Sequence, residues 1–296
     1  METFIVAILV GVCVGILSGL LGIGGGTLMV PIFRLGFGLS AIQATATSLF
    51  TIIPTSLGGV ITHLKNKTCI PLVGLACGLA GACTSPLGVY AASIAPAWVI
   101  MLAAALIIGY SAVSMFRKAI RMPKVQAKGT SPVTGKDREQ AVKDAAAHAE
   151  PAHRVQEKDS QVEEAPFHLT PKRVALCVCI GLIAGFASGF VGVGGGFIMM
   201  PLFVSVLGMM MRKASGTSLI AVTILAIPGV ITQAMMGNVD YIAGIAMAVG
   251  SIPGAIFGAT MVRRIPERKL RFIFSAFLLV AAVSLFVNEM APLFVQ

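Results

Sequence analysis

The groups in this chain best suited to chemistry on an anion are backbone N–H groups exposed by glycine, with hydroxyls placed beside them. Ser18, Gly19, Gly22, Gly24, Gly25, Gly26 and Pro31 recur as Ser188, Gly189, Gly192, Gly194, Gly195, Gly196 and Pro201, each 170 positions after its twin. Glycine disfavours helix interiors, so each triple glycine ends one helix and lets another begin. Without a Cβ, the backbone there can approach a ligand closely. The new helix start offers free N–H groups and the positive end of its dipole, which together hold anions. Broken helices at matching places in two halves are the sequence mark of a transporter's substrate site. The candidate substrate-binding residues are therefore Gly24, Gly25, Gly26 and Thr27 in the first copy and Gly194, Gly195 and Gly196 in the second. Thr47 and Ser48, repeated as Thr217 and Ser218, add hydroxyl donors downstream. Two plainer uses compete: small residues let membrane helices pack closely, and hydroxyls often bond their own helix backbone.

The acids narrow the substrate. Eight of the twelve acidic residues lie between 117 and 172, and the others (Glu2, Asp240, Glu267 and Glu289) sit at expected segment ends. A carboxylate in hydrocarbon is costly and marks cation and proton pathways, so its absence at mid-membrane argues against a cation as substrate. No carboxylate, histidine cluster and nucleophile meet at one depth, so no enzymatic activity is expected. The six cysteines form no CxxC pair and read as small apolar residues; neither a metal nor another cofactor is expected. A dinucleotide loop at Gly22–Gly26 is rejected because no βαβ unit surrounds it. His63, beside Lys65 and matched by Gln233, reads as an interfacial residue, with proton carriage as the alternative.

These residues need long apolar elements to position them. The 296 residues are 56% hydrophobic and 11% charged, with a mean hydropathy of +0.91. Soluble domains carry about a quarter charged residues. Apolar runs fall near 3–21, 26–39, 42–63, 69–92 and 96–116, then near 174–191, 196–211, 214–236, 241–262 and 270–288. The expected fold is an all-α polytopic membrane protein of two inverted repeats, each of about five helical segments. Repeat 1 covers 3–116 and repeat 2 covers 173–290, joined by a polar linker at 117–172 that reads as disordered. The linker opens with Arg117, Lys118, Arg121, Lys124 and Lys128, which places it in the cytoplasm by the positive-inside rule. Five segments per half keep Lys65, Lys67, Arg212, Lys213 and the basic run 263–271 on that same side; four do not. An odd count inverts the halves, and the two glycine breaks then point towards opposite faces. The segments at 26–39 and 196–211 are counted as crossings, but 13 or 14 residues make only about 20 Å of helix, so full spans and half-spans packed inside the protein both stay open. The net charge of +10 lies in loops and is no nucleic-acid signal. The expected partners are a small anion and the lipid bilayer; a homo-oligomer is compatible with the chain.

The doubled Ser-Gly-x-x-Gly-x-Gly-Gly-Gly-x-x-x-x-Pro stretch, with Thr47-Ser48-Leu49 and Thr217-Ser218-Leu219, resembles the TauE/SafE family of bacterial permeases. The resemblance covers roughly 3–116 and 173–290. It implies a multi-pass transporter in the bacterial inner membrane for sulfite, organosulfonates or small carboxylates, working as an exporter by alternating access. A permease for another small solute, or a membrane scaffold that uses the linker to bind partners, are the competing readings.

Overall fold

The computed structural model describes residues 2–121, 171–262 and 264–294. Most of the linker, which the sequence reads as disordered, lies outside the described residues. Ten helices are described: α1 Glu2–Leu21, α2 Gly26–Gly36, α3 Ala41–Lys65, α4 Pro71–Ile94, α5 Ala97–Arg121, α6 Pro171–Val191, α7 Gly196–Ser205, α8 Met211–Met235, α9 Tyr241–Met261 and α10 Glu267–Phe294. Among the described residues there is no strand. Six helices (α3, α4, α5, α6, α8 and α9) are long and apolar enough to cross a membrane. The helices before and after the linker form one compact unit.

Helix α1 packs on α9, and α4 on α6, so each half lends its first helix to the other half's fourth. Both seams are built from glycine. A Cβ on Gly11, Gly15 or Gly19 would strike Met247, Ser251 or Ala255, while Gly250, Gly254 and Gly258 face Ile8, Val12 and Ile16. Contacts on the two helices advance together, so α1 and α9 are parallel. Gly181, Gly185 and Gly189 meet Cys77, Gly81 and Ser85 in the same way, making α4 and α6 parallel. Such small-residue stripes bring helix backbones together in membranes.

The hand of the repeat is read from equivalent helices. Ser56 pairs with Thr223 at 2.8 Å, Gly59 meets Leu219 and Gly229 meets Leu49, so α3 and α8 run antiparallel. Helices α5 and α10 do likewise, with Phe116 on Phe272 and Gly109 against Ala282. Equivalent elements that oppose each other require a two-fold axis across the helices, which is an inverted repeat.

The short segments are half-spans. Helices α2 and α7 have 11 and 10 residues, about 15 Å each at 1.5 Å per residue. Helix α3 is parallel to α9, because Thr47, Thr51 and Thr55 contact Asp240, Gly244 and Ser251 in turn. Helix α1, parallel to α9, therefore starts on the face where α3 starts. Helix α2 runs back to that face, packing Met29 and Phe33 against Val14, Ala44, Ala243 and Met247. Ser40 then caps α3 with Gln43 in a reciprocal capping box. So α1–α2 is a hairpin that enters and leaves by one face. Its counterpart α6–α7 does so from the opposite face.

Candidate functional site

The site is the meeting of the two hairpin tips. Gly22, Gly24 and Gly25 have φ of 74°, 80° and 84°, and Gly192, Gly194 and Gly195 have φ of 75°, 82° and 66°. This is the left-handed region that favours glycine, and it lets the chain reverse within four residues. The tips touch. A Cβ on Gly26 would lie 2.6 Å from the Val193 carbonyl carbon, and one on Gly196 would lie 2.7 Å from the Ile23 carbonyl oxygen. Ile52 packs against Gly24, Gly26 and Gly194, and Val222 against Gly24 and Gly194. These two side chains are repeat equivalents near the middle of α3 and α8. The breaks are thus placed at one central level instead of towards opposite faces, because each hairpin turns back halfway.

The tips are uneven in charge. At the end of α1, the Gly22 amide donates to Ser18 O, Ser215 Oγ donates to Leu20 O at 3.2 Å, and Ser218 Oγ donates to Gly22 O at 2.6 Å. The carbonyl end of α1 is thereby supplied with donors. The starts of α2 and α7 are capped by Gly25 and Gly195, which offer no side-chain acceptor. Two positive helix ends therefore meet at the centre with no side-chain cap.

Around them lie hydroxyls without partners. Ser18, Thr27, Ser48 and Ser188 are buried to 1% exposure or less, and their oxygens accept and donate no hydrogen bond. Ser18 and Ser188 sit against Gly25 and Gly195, 3.4 Å from the Cβ position of each glycine. Thr27 is in the first turn of α2, and its twin Phe197 is fully buried. Ser48 is one turn from Thr45, which packs on Gly192. Each orphaned hydroxyl costs about 1–3 kcal/mol. A cluster of them beside two helix starts is arranged to donate to something absent from the protein itself.

The sequence candidates divide. Gly24, Gly25, Gly26, Thr27, Gly194, Gly195 and Gly196 converge at the tips, and Ser48 and Ser218 flank them. Ser218 is engaged with Gly22. Thr47 and Thr217 do not join the cluster: Thr47 Oγ1 accepts from the Asp240 amide at 3.0 Å, and Thr217 Oγ1 from the Ile70 amide at 2.9 Å, holding the starts of α9 and α4. Ser18 and Ser188 were legible only as packing residues, yet they carry two of the five buried hydroxyls without a partner among the described residues; the fifth, Ser85, lies on α4 against Gly229. His63 is fully buried, not interfacial. Its Nε2 is 3.0 Å from Gly19 O and its Nδ1 is 2.8 Å from Thr68 Oγ1. Among the described residues no cluster of His, Cys, Asp or Glu is placed to hold a metal ion. Crevices beside α2 and α7 are lined mainly by apolar side chains such as Val10, Leu28, Phe186 and Leu202.

Comparison with known proteins agrees with this architecture. The model of the family described as sulfite exporter TauE/SafE matches residues 7–285. The chain is 26% identical over 288 residues to the probable membrane transporter protein YjnA of Bacillus subtilis, covering 94% of this chain and 98% of that one. It is 25% identical to YdhB of the same organism, covering 94% and 96%. It is 24% identical to the probable membrane transporter protein MJ0441 of Methanocaldococcus jannaschii, covering 92% and 91%. No solved structure matches the chain.

Proposed function

This chain belongs to the sulfite exporter TauE/SafE family, and on that premise we propose that it is a secondary transporter of a small oxyanion. Sulfite, an alkanesulfonate or a small carboxylate is carried outward by alternating access between the inverted halves. The protein works in the bacterial inner membrane with its linker in the cytoplasm, the side to which the basic loops assign it. The observation that carries the reading is the group of four buried, unpaired hydroxyls where two uncapped helix starts meet. An oxyanion has several acceptor oxygens and no donors. It complements hydroxyl hydrogens, amide hydrogens and the positive ends of α2 and α7 at once. Among the described residues no carboxylate stands there to favour a cation.

The test is flux in proteoliposomes loaded with sulfite, methanesulfonate or acetate. Efflux above that of empty vesicles for at least one anion is expected. Failure of all three to move would refute the oxyanion reading.

A further inference from the structure

We propose that His63 is the proton site that couples transport to pH, an inference that rests on the transporter reading above. His63 is the fully buried ionisable side chain closest in the chain contacts to a hairpin tip: its Nε2 bonds Gly19 O, three residues before Gly22. A carbonyl can only accept, so Nε2 carries a hydrogen in every state. In the neutral ring, Nδ1 accepts from the Thr68 hydroxyl at 2.8 Å. When Nδ1 takes a proton it donates to Thr68 Oγ1 instead, and the Thr68 hydrogen turns to His63 O, 3.3 Å away. Both charge states are therefore hydrogen-bonded without any side chain moving. A site that served only packing has no need of that second acceptor.

The second repeat supplies the comparison. At the equivalent places Gln233, also buried, accepts at Oε1 from Asn238 Nδ2 at 2.8 Å. That pair makes the same bridge between helix and loop with groups that do not titrate. The bridge is duplicated, and the ionisable version belongs to one half only.

Thr68, the Nδ1 partner, is only half-buried. On the loop after α3 stand Lys67, which is exposed, and Cys69, whose side chain reaches the same glycine of α8, Gly216, as His63 does. Lys65 on α3 is exposed. Helix α8 begins with Arg212, which donates to Ile265 O, and Lys213. Helix α1 from Val6 to Leu21 carries Cys13 as its sole titratable group, and α9 carries Tyr241 at its start. Among the described residues no carboxylate is paired with His63. When protonated, the ring strengthens its bond to Gly19 O through charge and adds positive charge beside the α1–α2 tip. Proton and anion then favour the same state, which is thermodynamic coupling.

The repeat itself provides the test. The double variant His63→Gln/Thr68→Asn transplants the second repeat's bridge into the first, and Thr68→Val keeps the imidazole but removes its Nδ1 partner. Flux is measured with methanesulfonate, whose charge is constant between pH 5.5 and 8.0, with a trapped dye reporting proton movement. Wild-type flux is expected to change roughly tenfold across the histidine range and to carry protons. The double variant should give a flat profile without proton movement, and Thr68→Val a displaced profile. Identical profiles for wild type and double variant overturn the proton site while leaving the transporter reading intact. If wild type moves no anion, the transporter reading fails. The proton site is then judged by thermal midpoint against pH, where superimposed curves for wild type and double variant overturn it.

Discussion

Gly26→Ala isolates the contact between the two tips from backbone strain. Gly26 lies outside the left-handed region and is the first residue of α2. Alanine there carries no φ penalty, and as a better helix former it adds up to about 1 kcal/mol. The added Cβ, however, falls 2.6 Å from the Val193 carbonyl carbon and 2.6 Å from Ile52 Cδ1. Carbon atoms pack at about 3.5–4.0 Å, so the opposite tip must retreat by roughly 1 Å. Overpacking of this kind costs about 1–3 kcal/mol. The net destabilisation is then about 0–3 kcal/mol, or up to about 12 °C in thermal midpoint for a chain of this size. Flux should fall about tenfold or more, since displacements near 1 Å spoil positioned binding groups. Gly38→Ala is the control: Gly38 has φ of 67° with nothing within 4 Å. It pays strain of about 1–2 kcal/mol far from the tips and should transport normally. The reasoning fails if Gly26→Ala moves anion at the wild-type rate, or if Gly38→Ala loses as much flux as Gly26→Ala.

Thr27→Val removes an unpaired buried hydroxyl at constant shape, so the thermal midpoint should hold or rise while the KM for anion rises about tenfold or more, the loss of a hydrogen bond to a charged group; an unchanged KM would remove Thr27 from the site. Single cysteines at Lys67 and Asn238, repeat-related loop positions, should label from opposite sides of the membrane, and labelling from one side would contradict the inversion. In the native chain, burial pushes the Cys69 thiol above its ordinary value, so it stays protonated at neutral pH. Its maleimide labelling should be slow at pH 7 and quicken as pH rises, whereas equal rates at pH 7 and pH 9 would show a thiol already ionised at pH 7 and contradict the upward shift.

Much of the architecture was legible because duplication writes it twice. Gly22 to Pro31 and Gly192 to Pro201 marked the breaks, and the basic loops counted the segments. The ends of α2 and α7 were less legible. Apolar residues continue to 39 and 211, but the helices stop at Gly36 and Ser205, ahead of Gly38 and Gly208 in the left-handed region. Composition reports hydrophobicity, whereas the stop is set by one backbone angle. The tip-to-tip contact was invisible for a related reason. It depends on hairpins returning halfway, which lengths of 11 and 10 residues permit but do not require. Hydroxyl roles were the hardest to read. Thr47 and Ser48 are neighbours in sequence, yet one holds the Asp240 amide and the other has no partner, because adjacent helix positions lie about 100° apart.

The two halves share a frame but divide the chemistry. Glycines at the tips are kept in both copies, as are Gly11, Gly15 and Gly19 with their twins Gly181, Gly185 and Gly189 on the seams, since any Cβ there meets backbone or a packed side chain. Several polar residues of repeat 1 are not. Thr27, Thr51, Thr55 and Ser56 are buried, and their counterparts are Phe197, Ala221, Leu225 and Ala226, also buried. Thr55 reaches Ser251 at 2.5 Å and Ser56 reaches Thr223 at 2.8 Å, so hydroxyl pairs run along α3 on both sides. His63 ends that line at the α1 tip. If packing alone governed these positions, both copies would tolerate the apolar set that repeat 2 uses, because symmetry gives them matching surroundings. Four buried hydroxyls and an imidazole found only in repeat 1 instead add polar groups along α2 and α3, where Thr55 and Ser56 meet Ser251 and Thr223 of repeat 2. The inverted frame supplies two opposed hairpins, and the departure from symmetry supplies one polar path past their meeting point.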